Sequence, residues 1–319
     1  MIVPVDFVQS FGARGTLAIL IFHRVLPTAD PLLPDLPDVA TFDRLVALLV
    51  QRCIVLPLGD AISRLRRGAL PSGSVAITFD DGYADNHDVA LPVLLRHGAH
   101  ATFFVATGFI DGGIMWNDRV IESIRHTTCD SLNLGEFGLG VIPLAGLEAR
   151  RDALSTLLPR LKYLRGESRI SAVERIVDIA GTKERLPRGL MLSSLKVKNV
   201  AASGMEVGAH TVTHPILARL EVPDARREIR ESREYLVDLL RQPVNLFAYP
   251  NGRPRTDYVS EHIDIVRDAG FQAAVTTSTG AARVGDDPFQ FPRFTPWDPP
   301  GERFLLRLLV NRFRRPSLA

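Results

Sequence analysis

Two carboxylates stand side by side in VAITFDDGYADN (Val75 to Asn86), where Asp80 and Asp81 follow an apolar run and precede a glycine. Adjacent like charges at the end of a buried strand repel, and the repulsion grows as the local dielectric falls. A DDG run by itself usually marks a solvated turn; the alternative is that something positive sits beside the pair. Further along, GAHTVTHPIL places His210 and His214 four residues apart. On a helical turn that spacing stacks two imidazoles so that both can grip one cation, although histidine pairs also occur on solvated turns. One carboxylate added to the pair makes a His₂Asp set with a position open for water, the pattern of catalytic zinc sites. The other aspartate is then free to act as a base on that water.

These residues need elements that bring them together. TLAILIF (Thr16 to Phe22), SVAITF (Ser74 to Phe79), ATFFVA (Ala101 to Ala106), MEVGAH (Met205 to His210), VNLFAY (Val244 to Tyr249), FQAAVTT (Phe271 to Thr277) and FQFPRF (Phe289 to Phe294) read as strands. They are short, apolar, rich in β-branched or aromatic residues, and bounded by Gly, Pro or Asp. Amphipathic runs such as TFDRLVALLVQR and DARREIRESREYLVDLLRQ lie between them; the second sets Ile229, Leu236, Val237 and Leu240 against an Arg/Glu face. Strand–helix alternation over this length implies an α/β fold with a parallel sheet or barrel, whose site lies at the carboxyl ends of the strands. His23 ends the first of these runs, His210 the fourth, and the aspartate pair the second. From about 111 to 203 the alternation breaks into a mostly helical insertion with a small hairpin, SLNLGEFGLGVIPL, which is expected to form a lid or a wall of a substrate groove.

Bulk properties narrow the class. The chain has 319 residues, 46% hydrophobic and 23% charged, with a net charge of +2, which gives no reason to expect a nucleic-acid partner. Cys53 and Cys129 are far apart and in no metal-binding spacing, so a disulfide framework is not expected. Neither a signal-like leader nor an apolar run long enough to span a bilayer is present, and a cytoplasmic location is the expectation.

TFDDG, GAHTVTHPIL and FAYPNG, in that order and at strand ends, resemble the first three motifs of the polysaccharide deacetylases (carbohydrate esterase family four). The resemblance covers about Thr16 to Trp297 apart from the insertion. It implies a distorted seven-stranded (β/α) barrel and metal-dependent removal of N-acetyl groups from amino sugars. It also implies Asp80 as catalytic base, Asp81, His210 and His214 as metal ligands, and the Tyr249 backbone N–H as oxyanion donor, with Pro250 and Asn251 beside the substrate. Two features depart from the family. The arginine that opens the third motif and braces the base is replaced by Ala248, and Arg293 in FPRFTPW is the candidate to supply that charge or to contact substrate. The family's last motif, an apolar strand ending in a histidine that acts as general acid, is absent near the C-terminus. AILIFHRVLP resembles it at the N-terminus, a permuted arrangement that assigns the acid to His23; a core histidine is the plainer reading of that residue alone.

The reaction so implied is hydrolysis of an acetamido group with one divalent ion, zinc for preference, giving acetate and a free amino sugar on a polysaccharide, oligosaccharide or lipid- or nucleotide-linked glycan. Trp116 and Trp297 are candidate platforms for a sugar ring or packed core residues. The C-terminal GERFLLRLLVNRFRRPSLA interleaves apolar residues with arginines from about 301 to 315. It reads either as a helix packed on the barrel or as a basic amphipathic helix touching the inner face of a membrane. The competing functions are hydrolysis of a cyclic amide or formamide and an inactive sugar-binding protein.

Overall fold

The computed structural model describes residues 15–164, 166–296 and 298–319. They divide into two compact units, 15–28 with Pro37–Asp111 and Met191–Ala319, and Ala29–Leu36 with Gly112–Leu190.

The first unit is built on strands numbered in chain order: β1 (Thr16–Phe22), β2 (Ile54–Val55), β3 (Ser74–Phe79), β4 (Ala101–Val105), β7 (Glu206–Ala209), β8 (Leu246–Ala248), β9 (Ala273–Thr279), β10 (Ala282–Arg283) and β11 (Phe291–Arg293). Seven of them run parallel in the order β1-β3-β4-β7-β8-β9-β11. The ring closes just past β11, where the Phe294 N–H donates to Ile19 O at 2.7 Å and the Ile21 N–H to Phe294 O at 3.1 Å. β2 extends beside β3, and β10 lies antiparallel on β1. The fold is thus the α/β barrel implied by the motifs.

Strands in such a ring are buried on both faces, which is why they read as continuous apolar runs. All seven residues of β1 are buried. Leu17, Ile19, Ala76, Phe104, Ala248, Val275 and Phe291 share one face and pack with Leu58, Ile62 and Leu65 of helix Leu58–Arg66. The alternate residues, among them Leu20, Phe22, Phe79, Phe103 and Phe247, meet the outer helices through side chains such as Phe42, Leu45, Ile229, Leu236 and Phe304. Because the strands are parallel, their carboxyl ends form one rim, and His23, Asp80, His210, Tyr249 and Phe294 all follow strands onto it.

The second unit has helices Trp116–His126, Gly146–Lys162 and Gly166–Ala180 and an antiparallel hairpin, β5 (Ser131–Leu134) with β6 (Gly140–Pro143). Its own core includes Val120, Ile124, Leu132, Leu157, Leu161 and Ile176. Arg150 donates to the Arg125 and Thr127 carbonyls, satisfying groups left open where the first of these helices ends. The insertion is shorter than the expected 111–203. Helix Ser194–Ala202 belongs to the first unit, because Val197 and Val200 pack into the barrel's outer core. An amphipathic pattern shows that a face is buried without showing against what.

Candidate active site

The DDG and PNG motifs share a backbone device. Gly82 N–H donates to Asp80 O at 2.9 Å across Asp81, whose φ is 73°, and Gly252 N–H donates to Pro250 O at 2.7 Å across Asn251, whose φ is 61°. Each is a three-residue γ-turn of the rare left-handed kind, which costs strain and is retained where the surroundings fix it. Glycine is required after the aspartates. Gly82 has φ 84°, and a Cβ there would come within 2.9 Å of Val105.

The turn sends the two carboxylates to different partners. Asp80 is buried and takes a two-pronged ion pair from Arg293, Nη1 to Oδ1 at 2.6 Å and Nη2 to Oδ2 at 2.7 Å. The guanidinium is fixed in turn by Nε donating to Thr276 O at 2.8 Å and Nη1 to Thr78 Oγ1 at 3.3 Å. Burial alone would raise the Asp80 carboxyl, but Arg293 and then His210 hold it below the ordinary carboxylate value. Arg293 therefore replaces the charge missing at Ala248. It is 2% exposed with both prongs on the Asp80 carboxylate, so the expected contact with substrate is corrected: its partner is Asp80.

Asp81 turns to the histidines. Its Oδ1 lies 3.5 Å from His210 Nε2 and 3.4 Å from His214 Nε2, is buried, and accepts no hydrogen bond. His210 Nδ1 sits 2.7 Å from Ala248 O, so it carries the proton and leaves Nε2 as a lone pair facing Asp81. Three donors bound at about 2.1 Å around a tetrahedral ion stand about 3.4 Å apart. The Asp81–histidine separations match that edge, and the three donor atoms all lie within 4.8 Å of one another. The three residues fit a divalent cation. Burial would raise Asp81 too, yet His214 and His210 draw it far below the usual range. Burial pushes His214 down to about 4, keeping it a neutral donor, while Asp80 and Asp81 outweigh burial at His210 and raise it.

The histidine pair is not on a helical turn, as the spacing suggested. Residues 210–214 form an irregular loop in which Thr211 (φ 63°) and His214 (φ 55°) are left-handed. Its main chain is held from both sides. Thr107 and Gly108 N–H donate to Thr211 O at 3.1 Å and Val212 O at 2.8 Å, while the Glu228 carboxylate accepts from Val212 N and Thr213 N, each at 2.8 Å, and from Thr213 Oγ1 at 2.6 Å. Thr211 Oγ1 accepts the His214 N–H at 3.1 Å. Sequence reasoning missed Glu228, since one glutamate among the charges of a surface helix carries no local signal, and missed Gly108, whose Cβ would meet Val212 O at 2.8 Å.

His23 follows β1 onto the same rim and is exposed. The Phe22 carbonyl beside it accepts the Asp80 N–H at 2.9 Å, and His23 O accepts from Asn86 Nδ2 at 2.8 Å. Its charge helps to lower both aspartates. Tyr249 needs a correction. Its N–H donates to Val275 O at 3.2 Å within the strand ladder, and its buried ring stacks on Tyr258 at 4.0 Å. Pro250 has no N–H, so the first amide of the loop without an acceptor among the described residues is that of Asn251. Trp116 belongs to the second unit, where it packs on that unit's core under the Arg169 guanidinium at 5.4 Å. Trp297 lies outside the described residues.

The polysaccharide deacetylase family model matches residues 67–129 and 179–274. The Bacillus subtilis (strain 168) protein YxkH, named as a polysaccharide deacetylase, is 23% identical over 208 residues, 65% of this chain and 46% of its own length, so the chain spans about half of that relative. Among solved structures, the Streptococcus pyogenes deacetylase PplD in complex with acetate superposes with a TM-score of 0.61 at 20% identity, covering 92% of this chain and 98% of that one. IcaB from Ammonifex degensii gives 0.57 at 19% identity, with 92% and 96% covered. At such identities the superpositions speak for the barrel. The match to the family model, with the aspartates and histidines of its motifs found together on the rim, places this chain in the polysaccharide deacetylase family.

Proposed function

We propose that this chain hydrolyses the acetamido group of an N-acetylated amino sugar, with Asp80 as base and His23 as acid. The observation that carries the reading is the division of labour between neighbouring aspartates: Asp80 is locked to Arg293, while the donor atoms of Asp81, His210 and His214 converge to within 4.8 Å of one another. A divalent cation on Asp81, His210 and His214, zinc by the donor set, would polarise the acetyl carbonyl and acidify a water.

The rest falls to the chain's own groups. Asp80, ionised and held rigid by the Arg293 fork, accepts the proton of the attacking water. The Asn251 amide, in place of Tyr249, donates to the oxyanion of the tetrahedral intermediate; one such preorganised donor is worth about 3 kcal/mol. Protonated His23, reachable from solvent, delivers its proton to the departing nitrogen. Acetate and the free amino sugar leave. Ala248 is what favours an inactive sugar-binding reading; the Arg293–Asp80 pair, made from another strand, weighs against it.

The test measures bound metal and acetate release on one preparation, using N-acetylglucosamine oligomers and nucleotide- and lipid-linked N-acetyl sugars, with Asp80→Asn as control. One ion per chain, and release that vanishes in the variant while sugar binding persists, is the expected result. Bound metal without release from any acetamido sugar sinks the substrate class, and absence of metal after reconstitution sinks the site.

A further inference from the structure

Helix Glu302–Asn311 is two-sided. Phe304, Leu305 and Leu308 are buried in the barrel's outer core, and Asn311 donates to Gly280 O at 2.8 Å. The inward side of the helix is therefore fully used. At 100° per residue the opposite side carries Leu306 and Val310, with Phe313 one turn further on, and these are 62%, 47% and 66% exposed. Three large apolar side chains in one outward stripe are not a requirement of the fold, and contiguous exposed apolar surface marks a contact site. The stripe is rigidly displayed. Beyond the helix, Arg283 donates to Arg312 O at 2.6 Å and Arg314 O at 3.1 Å, which pins the backbone on both sides of Phe313.

Arg303 and Arg307 lie beside the stripe on the helix, and Arg314 and Arg315 follow Phe313; all four are exposed. Arg303 and Arg307 share Asp298, at 2.9 and 3.0 Å. Against Asp298 and the Glu302 of the same segment, the four arginines leave an excess of positive charge. Arg312, which the sequence places among these cations, is instead buried beneath the helix with Nη2 on Ser74 O at 3.3 Å, so it does not contribute to the patch.

We infer that this outward face docks in the plane of an anionic lipid surface, with Leu306, Val310 and Phe313 entering the acyl boundary and the arginines meeting headgroup phosphates. The apolar stripe with cations along its side is the arrangement an interfacial helix uses. A second copy of the chain is disfavoured as occupant, because a two-fold contact would set the four arginines of one copy against the four of the other. The inference is independent of the reaction proposed above.

The experiment is co-sedimentation of the full chain with vesicles of phosphatidylcholine alone and of phosphatidylcholine containing phosphatidylglycerol. Binding is expected only to the anionic vesicles and is expected to weaken with salt. Leu306→Ser, Val310→Ser and Phe313→Ser together should lower the partition coefficient about tenfold or more. Arg314→Gln with Arg315→Gln should lower it about fivefold for each charge removed. Leu195→Ser, at an exposed leucine (67%) on another helix, should change nothing. All of these side chains face outward, and matching thermal melts verify that the variants fold. Failure of the wild-type chain to bind anionic vesicles overturns the proposal, and so does equal loss from Leu195→Ser. A dimer in solution that the triple variant abolishes, with no vesicle binding, overturns it in favour of a second copy.

Discussion

Asp80 and Arg293 show what a buried ion pair does for a carboxylate proposed as the base. The fork satisfies both carboxylate oxygens and keeps Asp80 ionised in a setting where burial would otherwise protonate it. Lysine carries the charge but not the fork. Arg293→Lys is therefore expected to lower kcat by about 10²-fold with metal content unchanged. Arg293→Ala should move the acid limb of the pH–rate profile to higher pH: the variant leaves Asp80 buried without its cation, so its carboxyl rises and the base is lost at a higher pH as solution is acidified. An acid limb that stays in place would mean that Arg293 is structural only. Parallel measurement of kcat/KM against pH and of bound metal separates the two.

At the scale of elements, loop 210–214, which carries His210 and His214, depends on neighbours outside the proposed cation site. Glu228, on helix Val222–Leu240, neutralises two backbone donors and a hydroxyl of that loop, and the Thr107–Gly108 turn takes up its carbonyls. Outer groups of this sort typically carry 10–100-fold in metal affinity. Glu228→Ala should weaken metal binding by about that factor in a chelator competition, and activity should recover at saturating metal. Gly108→Ala should do more, because its Cβ would meet the Val212 carbonyl at 2.8 Å and push the loop away. Unchanged affinity in both variants would show that the histidines hold their positions unaided.

For the whole molecule, stability is expected to follow barrel closure and, if the proposed site is filled, metal loading. Phe304 is fully buried against the outer core near Phe294, the residue that closes the ring on β1, with ring centroids 6.2 Å apart. Phe304→Ala should cost about 3–5 kcal/mol in denaturant unfolding. Asp81, His210 and His214 come from β3 and β7, strands separated in the ring only by β4, so a bound ion ties distant parts of the chain. Chelation should lower the melting temperature: an ion at a hundredfold excess over its Kd stabilises by about 2.7 kcal/mol. A melting curve unmoved by chelator, on a chain shown to have carried metal, would contradict that coupling. Among the described residues no helix is long and apolar enough to cross a membrane.

The sequence by itself determined the strands that matter, the DDG, HTVTH and YPNG motifs at their ends, and the permuted strand that brings His23 to the rim. Each of these is local: an apolar run bounded by turn residues, or chemistry-bearing residues at short spacing. What only the tertiary structure decided involves pairs far apart in the chain. Arg293 reaches Asp80 across more than two hundred residues, and Glu228 reaches the 212–213 amides from another element. The Tyr249 amide proved to be spent on Val275. Helix Ser194–Ala202 packs with the barrel, Trp116 with the second core, and Arg312 beneath the terminal helix. Which partner a buried charge or an apolar face finds depends on how the ring closes, and closure is a property of all seven strands together.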